Sequence, residues 1–287
     1  MNIILAFFKL IRFNYSLSSA LAILVSGILA GDLRGFQVEY VVSSTIIFFS
    51  AIGSFAFNDY FDFEVDKRNN RVDRPLVLGL ISRKAALFTG IGSMICVFLL
   101  SLNLNPLARF LVIFSLPLFY LYSIKLKRIL FVNNVLIASA YVITLFLGTL
   151  VSDNLVEPLI LYFAMMSFIV GLATEIMINI IDVEGDKALK IETLSTRFGI
   201  KRAAQTSAFL YLLIAILDPL PFFLLIDSRL YLDYLFLLAI LLPIASYLSS
   251  VKDLLREQTP KRIFKLKRRI IITMQVGSIA YLLGVLL

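Results

Sequence analysis

The chain has 287 residues, of which 60% are hydrophobic and 16% charged, and its mean hydropathy is +0.93. Soluble domains contain roughly 45–50% apolar and about 25% charged residues, so this composition excludes an ordinary soluble enzyme. The net charge of +8 does not require a nucleic-acid partner, because membrane orientation and anionic lipid headgroups account for it. With no His and a single Cys, Cys96, the chain has neither a disulfide framework nor a metal–thiolate site.

Long apolar stretches recur along the chain, and each is long enough to cross the hydrocarbon core of a bilayer as a helix. Their boundaries predict nine spans, at 15–31, 38–57, 85–102, 107–124, 131–151, 158–181, 205–226, 230–250 and 270–287. If the N-terminus is cytoplasmic, the segments on that side hold 24 Lys and Arg residues, whereas the opposite loops hold 3. This asymmetry follows the positive-inside rule and predicts a cytoplasmic N-terminus.

We therefore expect an all-α integral membrane protein, with nine transmembrane helices in a single bundle and the N-terminus in the cytoplasm. The chain is interpreted as one domain over residues 1–287, in a multi-pass position in the plasma membrane. The lipid bilayer is its expected environment. The sequence implies neither a nucleic acid nor a protein partner.

The second span is followed directly by an acidic segment, NDYFDFEVDKRNNRVDRPL, at residues 58–76. If the helix continues past Phe57, polar side chains recur every four residues and form one stripe. The residues of this stripe are Ser54, Asn58, Asp62 and Asp66. Asp59 lies close to the stripe, while Glu64 points away from it.

The sixth span is followed by a second acidic segment, NIIDVEGDKALKIETLSTRFGIKRAA, at 179–204. The pattern D-x-E-x-D-K begins at Asp62 and again at Asp182, an offset of 120 residues. Spans two and six differ by an even number, so both segments are predicted on the same side of the membrane. The pattern indicates an internal duplication with two similar helix ends at one shared site, and membrane proteins built from repeats commonly bind ligands at the repeat interface.

The second segment also predicts a polar face, if the sixth helix continues through it. The residues at helical spacing are Glu175, Asn179, Asp182 and Asp186, and Glu184 falls off this face. An intramembrane carboxylate such as Glu175 is costly unless it lines a polar cavity. We expect Glu175, Asn179 and Ser54 to line such a cavity.

Two groups of mutually repelling carboxylates at helix ends require a counter-charge, because like charges at i,i+4 destabilise a helix. Oxygen ligands without His or Cys suit Mg²⁺, which is commonly held by one or two carboxylates together with phosphate oxygens. An amphiphilic allylic diphosphate fits a charged site at the edge of an apolar bundle, since a bound metal neutralises charge on the departing diphosphate. The cationic side chains expected to assist are Lys67, Arg71, Arg74 and Lys187.

The two acidic motifs resemble the N-D-x-x-D-x-x-x-D and D-x-x-x-D pair of the UbiA superfamily of intramembrane prenyltransferases. RVDRPLVLGLIS resembles the R-P-L-x-x-G-x-I-S that follows the first motif in that family, and ETLSTRFG resembles its T-L-x-x-x-x-G after the second. The resemblance covers the whole chain. The pair of motifs in this topology is far more specific than either motif alone.

The resemblance implies two Mg²⁺ ions that bridge the diphosphate of an isoprenyl donor, at a site facing the cytoplasm. The metal ligands it implies are Asn58, Asp62, Asp66, Asp182 and Asp186, and Asp59 completes the catalytic set. The family also has a Tyr-x-x-x-Lys element after the fourth span. Here Tyr122 is followed by Lys125 and Lys127, with Leu at position 126, and we expect Tyr122 and Lys125 to contact the diphosphate. Arg12 and Asn14, at the start of the first span, are further candidates for the site.

The acceptor is predicted from a short segment after the fourth span. YSIKLKR followed by NN resembles the Y-x-x-K-L-K element of the archaeal glyceryl phosphate branch more than the Tyr-x-x-x-Lys of hydroxybenzoate enzymes. We therefore expect geranylgeranyl diphosphate as donor and geranylgeranylglyceryl phosphate as the lipophilic acceptor, in ether-lipid synthesis. The alternative acceptor is 4-hydroxybenzoate or another aromatic acid, in quinone synthesis.

Two other classes of membrane protein remain as alternatives. A cation-coupled transporter has a use for paired acidic helices and an internal repeat, but transporter carboxylates typically lie near the bilayer midplane. The acidic motifs here are predicted at one edge of the membrane, beside Arg and Lys. A CDP-alcohol phosphotransferase also uses Mg²⁺, but it needs a D-G-x-x-A-R type motif that this sequence lacks.

Overall fold

The structure is a computed structural model that describes residues 2–33, 37–68, 71–124, 126, 129–188 and 191–287. Over these residues the chain is built from helices and turns, with no strand. In chain order the helices are α1 (Ile3–Leu10), α2 (Phe13–Ala30), α3 (Val38–Arg68), α4 (Arg83–Ser101), α5 (Pro106–Ile124), α6 (Val132–Leu150), α7 (Pro158–Ile178), α8 (Val183–Ala188), α9 (Leu194–Phe198), α10 (Ile200–Leu217), α11 (Leu220–Phe223), α12 (Tyr234–Arg256) and α13 (Pro260–Leu286).

Nine spans, as predicted, are long and apolar enough to cross a membrane within the described ranges: α2 to α7, α10 continued through α11, α12 and α13. The boundaries differ most where a helix carries charge. α3 was predicted to end at 57 and runs to Arg68, and α13 was predicted to begin at 270 and begins at Pro260. Hydropathy marks where a helix leaves the apolar region, whereas backbone hydrogen bonds continue into the charged turns.

The chain divides into two compact units. The first contains α1, most of α2, α3, α4, α5 and the last turns of α6. Its helices approach closely at small residues, the usual means by which membrane helices pack. A Cβ at Gly90 of α4 would lie 2.9 Å from the ring of Phe57 on α3. Likewise, Gly148 of α6 lies against Ser26 of α2, and the Ser26 hydroxyl donates a 2.5 Å hydrogen bond to the carbonyl of Leu145.

The second unit contains the first turns of α6 and the helices α7 to α13. Its core is formed by buried side chains of α7, α10, α12 and α13. The Ser207 hydroxyl on α10 donates a 2.8 Å hydrogen bond to the Ala173 carbonyl on α7. The rings of Tyr211 and Tyr247 stack between α10 and α12 with centroids 5.9 Å apart.

In each unit, the spanning helix that follows the acidic segment begins within the repeated sequence. After the first acidic segment, α4 begins at Arg83 in the sequence SRKAA. After the second, α10 begins at Ile200 in the sequence IKRAA. The second Ala of each copy, Ala86 and Ala204, is buried. Each acidic segment thus lies between one spanning helix and the next.

Candidate active site

The first acidic motif lies on the last turns of a single continuous helix, α3. This confirms the helical continuation past Phe57 from which the stripe was predicted. Along the stripe Asp66 is buried, while Ser54, Asn58 and Asp62 are half-buried. Glu64 is exposed and pairs with Arg83 at 3.2 Å, so it points away as expected. Asn58, Asp62 and Asp66, which follow one another at four-residue spacing, therefore occupy one side of α3.

Asp59 is enclosed by two arginines that lie far from it in sequence. Its side chain is 2% exposed, and its Oδ1 accepts hydrogen bonds from Arg12 Nη2 at 3.1 Å and from Arg74 Nη1 at 2.8 Å. Hydrogen bonds between ionised groups are roughly twice as strong as neutral ones. Asp59 thus joins the start of α2, the helix α3 and the segment after α3.

Arg12 is held in an unusual position between α1 and α2. Its backbone has φ of 44°, in the left-handed region that residues other than glycine rarely adopt. Its guanidinium lies 4.4 Å from the centroid of the Phe55 ring, one helical turn before Asp59 on α3. Burial lowers the pKa of Arg12, Arg74 lowers it further, and Asp59 opposes both. Arginine nevertheless stays protonated in proteins, so the group is a permanent cation.

Arg74 connects Asp59 to the stripe. Its Nε lies 3.5 Å from Asp66 Oδ2, an ion-pair distance that does not meet the geometry of a hydrogen bond. Arg71 is turned toward Asp73, to which it donates two hydrogen bonds of 2.9 and 3.1 Å. Those hydrogen bonds lower the pKa of Asp73. Lys67, the remaining predicted cation of the first motif, is exposed. Arg74 therefore pairs with an acid of the stripe, and the backbone amide of Arg71 donates a 3.0 Å hydrogen bond to the Asp66 carbonyl.

The segment that carries Arg74 is anchored by apolar side chains. Leu76 and Ile81 are buried against α1 and α4. Gly79 has φ of +68°, which explains a glycine at this turn. The Ser82 hydroxyl accepts a 3.1 Å hydrogen bond from the backbone of Ala85 and caps α4. Most fixed positions of the R-P-L-x-x-G-x-I-S pattern thus have a structural role. Leu76 and Ile81 are buried in the segment that carries Arg74, Gly79 forms the turn, and Ser82 caps α4.

The second acidic motif differs in backbone from the first, and the prediction of one continuous helical face through it is wrong. α7 ends at Ile178, and the backbone tightens into i→i+3 turns, with Ile180 bonded to Met177 at 3.2 Å. A short helix, α8, then starts at Val183. Asp182 and Asp186 are still one turn apart, because the Asp186 amide donates a 2.8 Å hydrogen bond to the Asp182 carbonyl.

The side chains of the second motif differ in burial. Asp182 and Lys187 are exposed and Asp186 is half-buried. Asn179 is 7% exposed, and its Nδ2 has no hydrogen-bond partner among the described residues. Glu175 is half-buried, one turn before Asn179 on α7. A buried amide group without a partner in the described protein is typical of a position where a ligand or water completes the hydrogen bonding.

The remaining family pattern of the second motif also has a local structural explanation. Thr193 caps α9 and forms a capping box with Thr196, and Leu194 is buried. Gly199 ends α9 and begins α10 with φ of +89°. The T-L-x-x-x-x-G pattern thus sets a short helix, α9, and the turn into the next span.

The other predicted site residues lie on the first unit. Tyr122 is half-buried near the end of α5, and Asn14 is exposed on the first turn of α2. Lys125 and Lys127 lie outside the described residues. Arg12 was a candidate from its position alone. No pattern in the sequence pairs Arg12 with Asp59, which lies 47 residues away.

The donor set suits Mg²⁺. In the first unit, Asn58, Asp62 and Asp66 offer hard oxygen ligands from one side of α3. In the second unit, Asp182 and Asp186 offer oxygen ligands one turn apart. Magnesium prefers such oxygen ligands and is usually completed by water and substrate phosphate. Asp59 is different, because both arginines bind its Oδ1.

Comparison with known proteins identifies the family. The profile of the UbiA prenyltransferase family matches residues 19–279. The digeranylgeranylglyceryl phosphate synthase of Archaeoglobus fulgidus is 34% identical over 272 residues, covering 94% of this chain and 90% of the relative. The synthase of the same name from Thermococcus kodakarensis is 34% identical over 236 residues, covering 82% of each chain.

Solved structures show the same fold. A structure described as digeranylgeranylglyceryl phosphate synthase in membranes superposes with a TM-score of 0.75 at 24% identity, covering 99% of each chain. A UbiA homologue from Archaeoglobus fulgidus bound to DMAPP and Mg²⁺ has a TM-score of 0.65 at 18% identity, covering 96% of this chain and 98% of the homologue. The profile match over nearly the whole chain, the synthase relatives and the common fold agree, and the chain belongs to the UbiA prenyltransferase family.

Proposed function

We propose that the protein transfers a geranylgeranyl group from geranylgeranyl diphosphate to the free hydroxyl of geranylgeranylglyceryl phosphate. The observation that carries this proposal is the 34% identity to an archaeal synthase of that name over 94% of the chain. The acidic stripe of α3, which ends beside Arg74, supplies the chemistry that such a reaction requires. Family membership favours prenyl transfer over a cation-coupled transporter or a CDP-alcohol phosphotransferase. The family also contains enzymes with aromatic acceptors, so an aromatic acid such as 4-hydroxybenzoate is the alternative acceptor that the experiment below tests.

The metal ligands in this proposal are Asn58, Asp62, Asp66, Asp182 and Asp186. Two Mg²⁺ ions are expected, and a homologous structure holds Mg²⁺ with DMAPP. Bound there, Mg²⁺ supplies positive charge that stabilises the diphosphate as it leaves the allylic carbon.

The chain's own cations bind and orient the diphosphate. Arg74 presents a guanidinium beside Asp66, and a planar guanidinium is well suited to two phosphate oxygens at once. Arg71, Lys67 and Lys187 are assigned to the same anion, together with Tyr122 and Lys125. As the C–O bond breaks, these groups hold the diphosphate, so charge separation does not depend on water.

The acceptor hydroxyl then forms the new ether bond with the allylic carbon, and its proton leaves. With no histidine in the sequence, the proton is taken by a carboxylate or by the departing diphosphate. Apolar helices exclude water, which would otherwise capture the allylic cation. The uncharged stretches of α3 and α7 that precede the two motifs are suited to this role.

The orientation is proposed from charge. Because 24 of the 27 Lys and Arg residues fall on the side of the two motifs in this topology, we place that side and the N-terminus in the cytoplasm. The plasma membrane is the assigned location, with the acceptor and donor reaching the site from its inner leaflet.

The test uses purified protein in lipid nanodiscs with labelled geranylgeranyl diphosphate, Mg²⁺ and one acceptor at a time. A labelled ether lipid is expected with geranylgeranylglyceryl phosphate, and none with 4-hydroxybenzoate.

The same assay tests the site. Asp62→Asn and Asp182→Asn should each reduce product by at least about 100-fold, corresponding to roughly 3 kcal/mol of lost transition-state stabilisation. Glu64→Gln and Glu184→Gln are matched controls from exposed positions of the same motifs and should retain activity. Product with the aromatic acid alone would refute the acceptor assignment, and full activity in both Asp variants would refute the site.

A further inference from the structure

Asp59 stands apart from the other acids of its motif in what it contacts. The other acids of the stripe, Asp62 and Asp66, are assigned to the metal, but Asp59 is 2% exposed and is bound by Arg12 and Arg74 through the same oxygen. Two charge-assisted hydrogen bonds to one oxygen of a buried carboxylate leave that oxygen saturated. Asp59 is therefore placed to bind the two arginines.

Without Asp59, the two guanidiniums would have no reason to lie together. Both are permanent cations, and like charges at close range repel. Arg74 also lies 3.5 Å from Asp66, but Asp66 is assigned to the metal, so Asp59 is the carboxylate dedicated to the arginine pair. Each guanidinium has five N–H donors in a planar fork, and Asp59 uses only one from each arginine.

The backbone of Arg12 is strained, and a residue with only a structural role would not require this strain. It has φ of 44°, in the left-handed region, which is strained for a residue with a side chain. Backbone strain of this kind persists where surrounding contacts fix it, and such residues cluster at functional sites. Here the Phe55 ring and the Asp59 carboxylate fix the guanidinium from one side of α3.

We infer that Asp59 is a positioning residue that holds Arg12 and Arg74 as a paired binding site for the anionic diphosphate, and that Arg12 is a substrate-binding residue contributed from outside both acidic motifs. The inference rests on the proposed function, which supplies the diphosphate. It removes Asp59 from the catalytic set, and it adds Arg12 to the diphosphate site.

The experiment measures binding, so that it does not depend on the acceptor. Geranylgeranyl thiolodiphosphate, in which sulfur replaces the bridging oxygen, is titrated into full-length protein in detergent at fixed Mg²⁺. Mg²⁺ is then titrated at fixed analogue. The variants are Asp59→Asn, Arg12→Gln, the two combined, and Glu64→Gln as an exposed acid of the same motif.

Asp59→Asn and Arg12→Gln should each weaken analogue binding by about tenfold, the effect of losing one charge-assisted contact. The Mg²⁺ concentration at half-saturation should stay within about twofold of wild type. The combined variant should bind much more strongly than the product of the two single losses predicts, because the residues act as one unit. Glu64→Gln should bind like wild type.

Several results would overturn the inference while leaving the proposed function intact. They are unchanged analogue binding in Asp59→Asn or Arg12→Gln, multiplicative losses in the combined variant, or a raised Mg²⁺ requirement in Asp59→Asn like that of Asp62→Asn. Wild-type protein that does not bind the analogue would refute the proposed function and the inference with it. If Asp59→Asn fails to fold, because two half-buried guanidiniums lose the carboxylate they share, Arg12→Gln decides the matter, since it leaves the Asp59–Arg74 pair intact.

Discussion

Gly90 on α4 packs directly against Phe57, the residue that precedes the first acidic motif. A Cβ at Gly90 would lie 2.9 Å and 3.0 Å from carbons of the Phe57 ring. Carbon atoms in favourable contact are about 3.5–4.0 Å apart, so Gly90→Ala must displace the ring or α3 by roughly 0.5–1 Å. The ring has little room to move, because it is 2% exposed and packs edge-on against Tyr120 with centroids 5.2 Å apart.

A displacement of this size next to Asn58 should disturb the alignment of the whole stripe. Misplacement by about 1 Å is able to lower an enzymatic rate about 100-fold, and overpacking costs about 1–3 kcal/mol. We expect Gly90→Ala to lower kcat for prenyl transfer by about 10- to 100-fold and to lower the Tm measured in detergent. Both quantities are measured on the same purified sample.

Gly92→Ala is the matched control for this prediction. Gly92 lies on the same helix, and apart from the neighbouring backbone of that helix no heavy atom of the described residues lies within 4 Å of its would-be Cβ. Alanine is a better helix former by up to about 1 kcal/mol, so this variant should keep its activity and have the same or a higher Tm. Equal activity and equal Tm in the two variants would refute the argument that the Gly90–Phe57 contact positions the motif.

Three further predictions follow from single features of the two motifs. Chelation with EDTA should abolish prenyl transfer, and added Mg²⁺ should restore it within minutes; activity that survives exhaustive chelation would contradict the metal assignment. Ser82→Ala removes the cap of α4 and should reduce unfolding free energy by about 1 kcal/mol, seen as a lower Tm, whereas an unchanged Tm would show that the cap is not needed. At Gly199 an added Cβ meets no atom of the described residues within 4 Å, chain neighbours aside, but φ is +89°, so Gly199→Ala should destabilise by about 1–2 kcal/mol through the backbone alone, and a neutral effect in thermal unfolding would contradict this.

The first motif shows how much of the site could be predicted from the sequence. Apolar length marked the spans, and the spacing of Asn58, Asp62 and Asp66 predicted a helix that continues beyond the apolar region. The structure confirms this continuation to Arg68. The prediction succeeded because a four-residue repeat of polar side chains is a property of one helix and needs no information from the rest of the chain.

The second motif shows a local limit of the same reasoning. Spacing alone favoured one helix through Glu175 and Asp186, but α7 stops at Ile178 and α8 starts at Val183. A signal for the break was present, since Asp182 is a residue type preferred just before a helix, and acids follow it in the first turn of α8. The prediction used only the spacing of the polar residues.

The contacts of Asp59 show a limit that no local pattern removes. Spacing placed it beside the metal stripe, whereas its partners come from 47 residues before it and 15 residues after it. Which cations approach a given carboxylate depends on how α1 and the segment after α3 pack on the helix. Packing of this kind is a property of the folded chain.

The packing of α1 has a practical consequence for biochemical work on this protein. Ala6 and Leu10 are fully buried against Leu76 and Ile81, which hold the segment that presents Arg74. A purification tag fused ahead of α1 would therefore lie a few residues from Ala6 and Leu10, whose contacts hold the segment that carries Arg74. Leu287, after α13, is 87% exposed, so an affinity handle or fluorophore attached there replaces no buried contact.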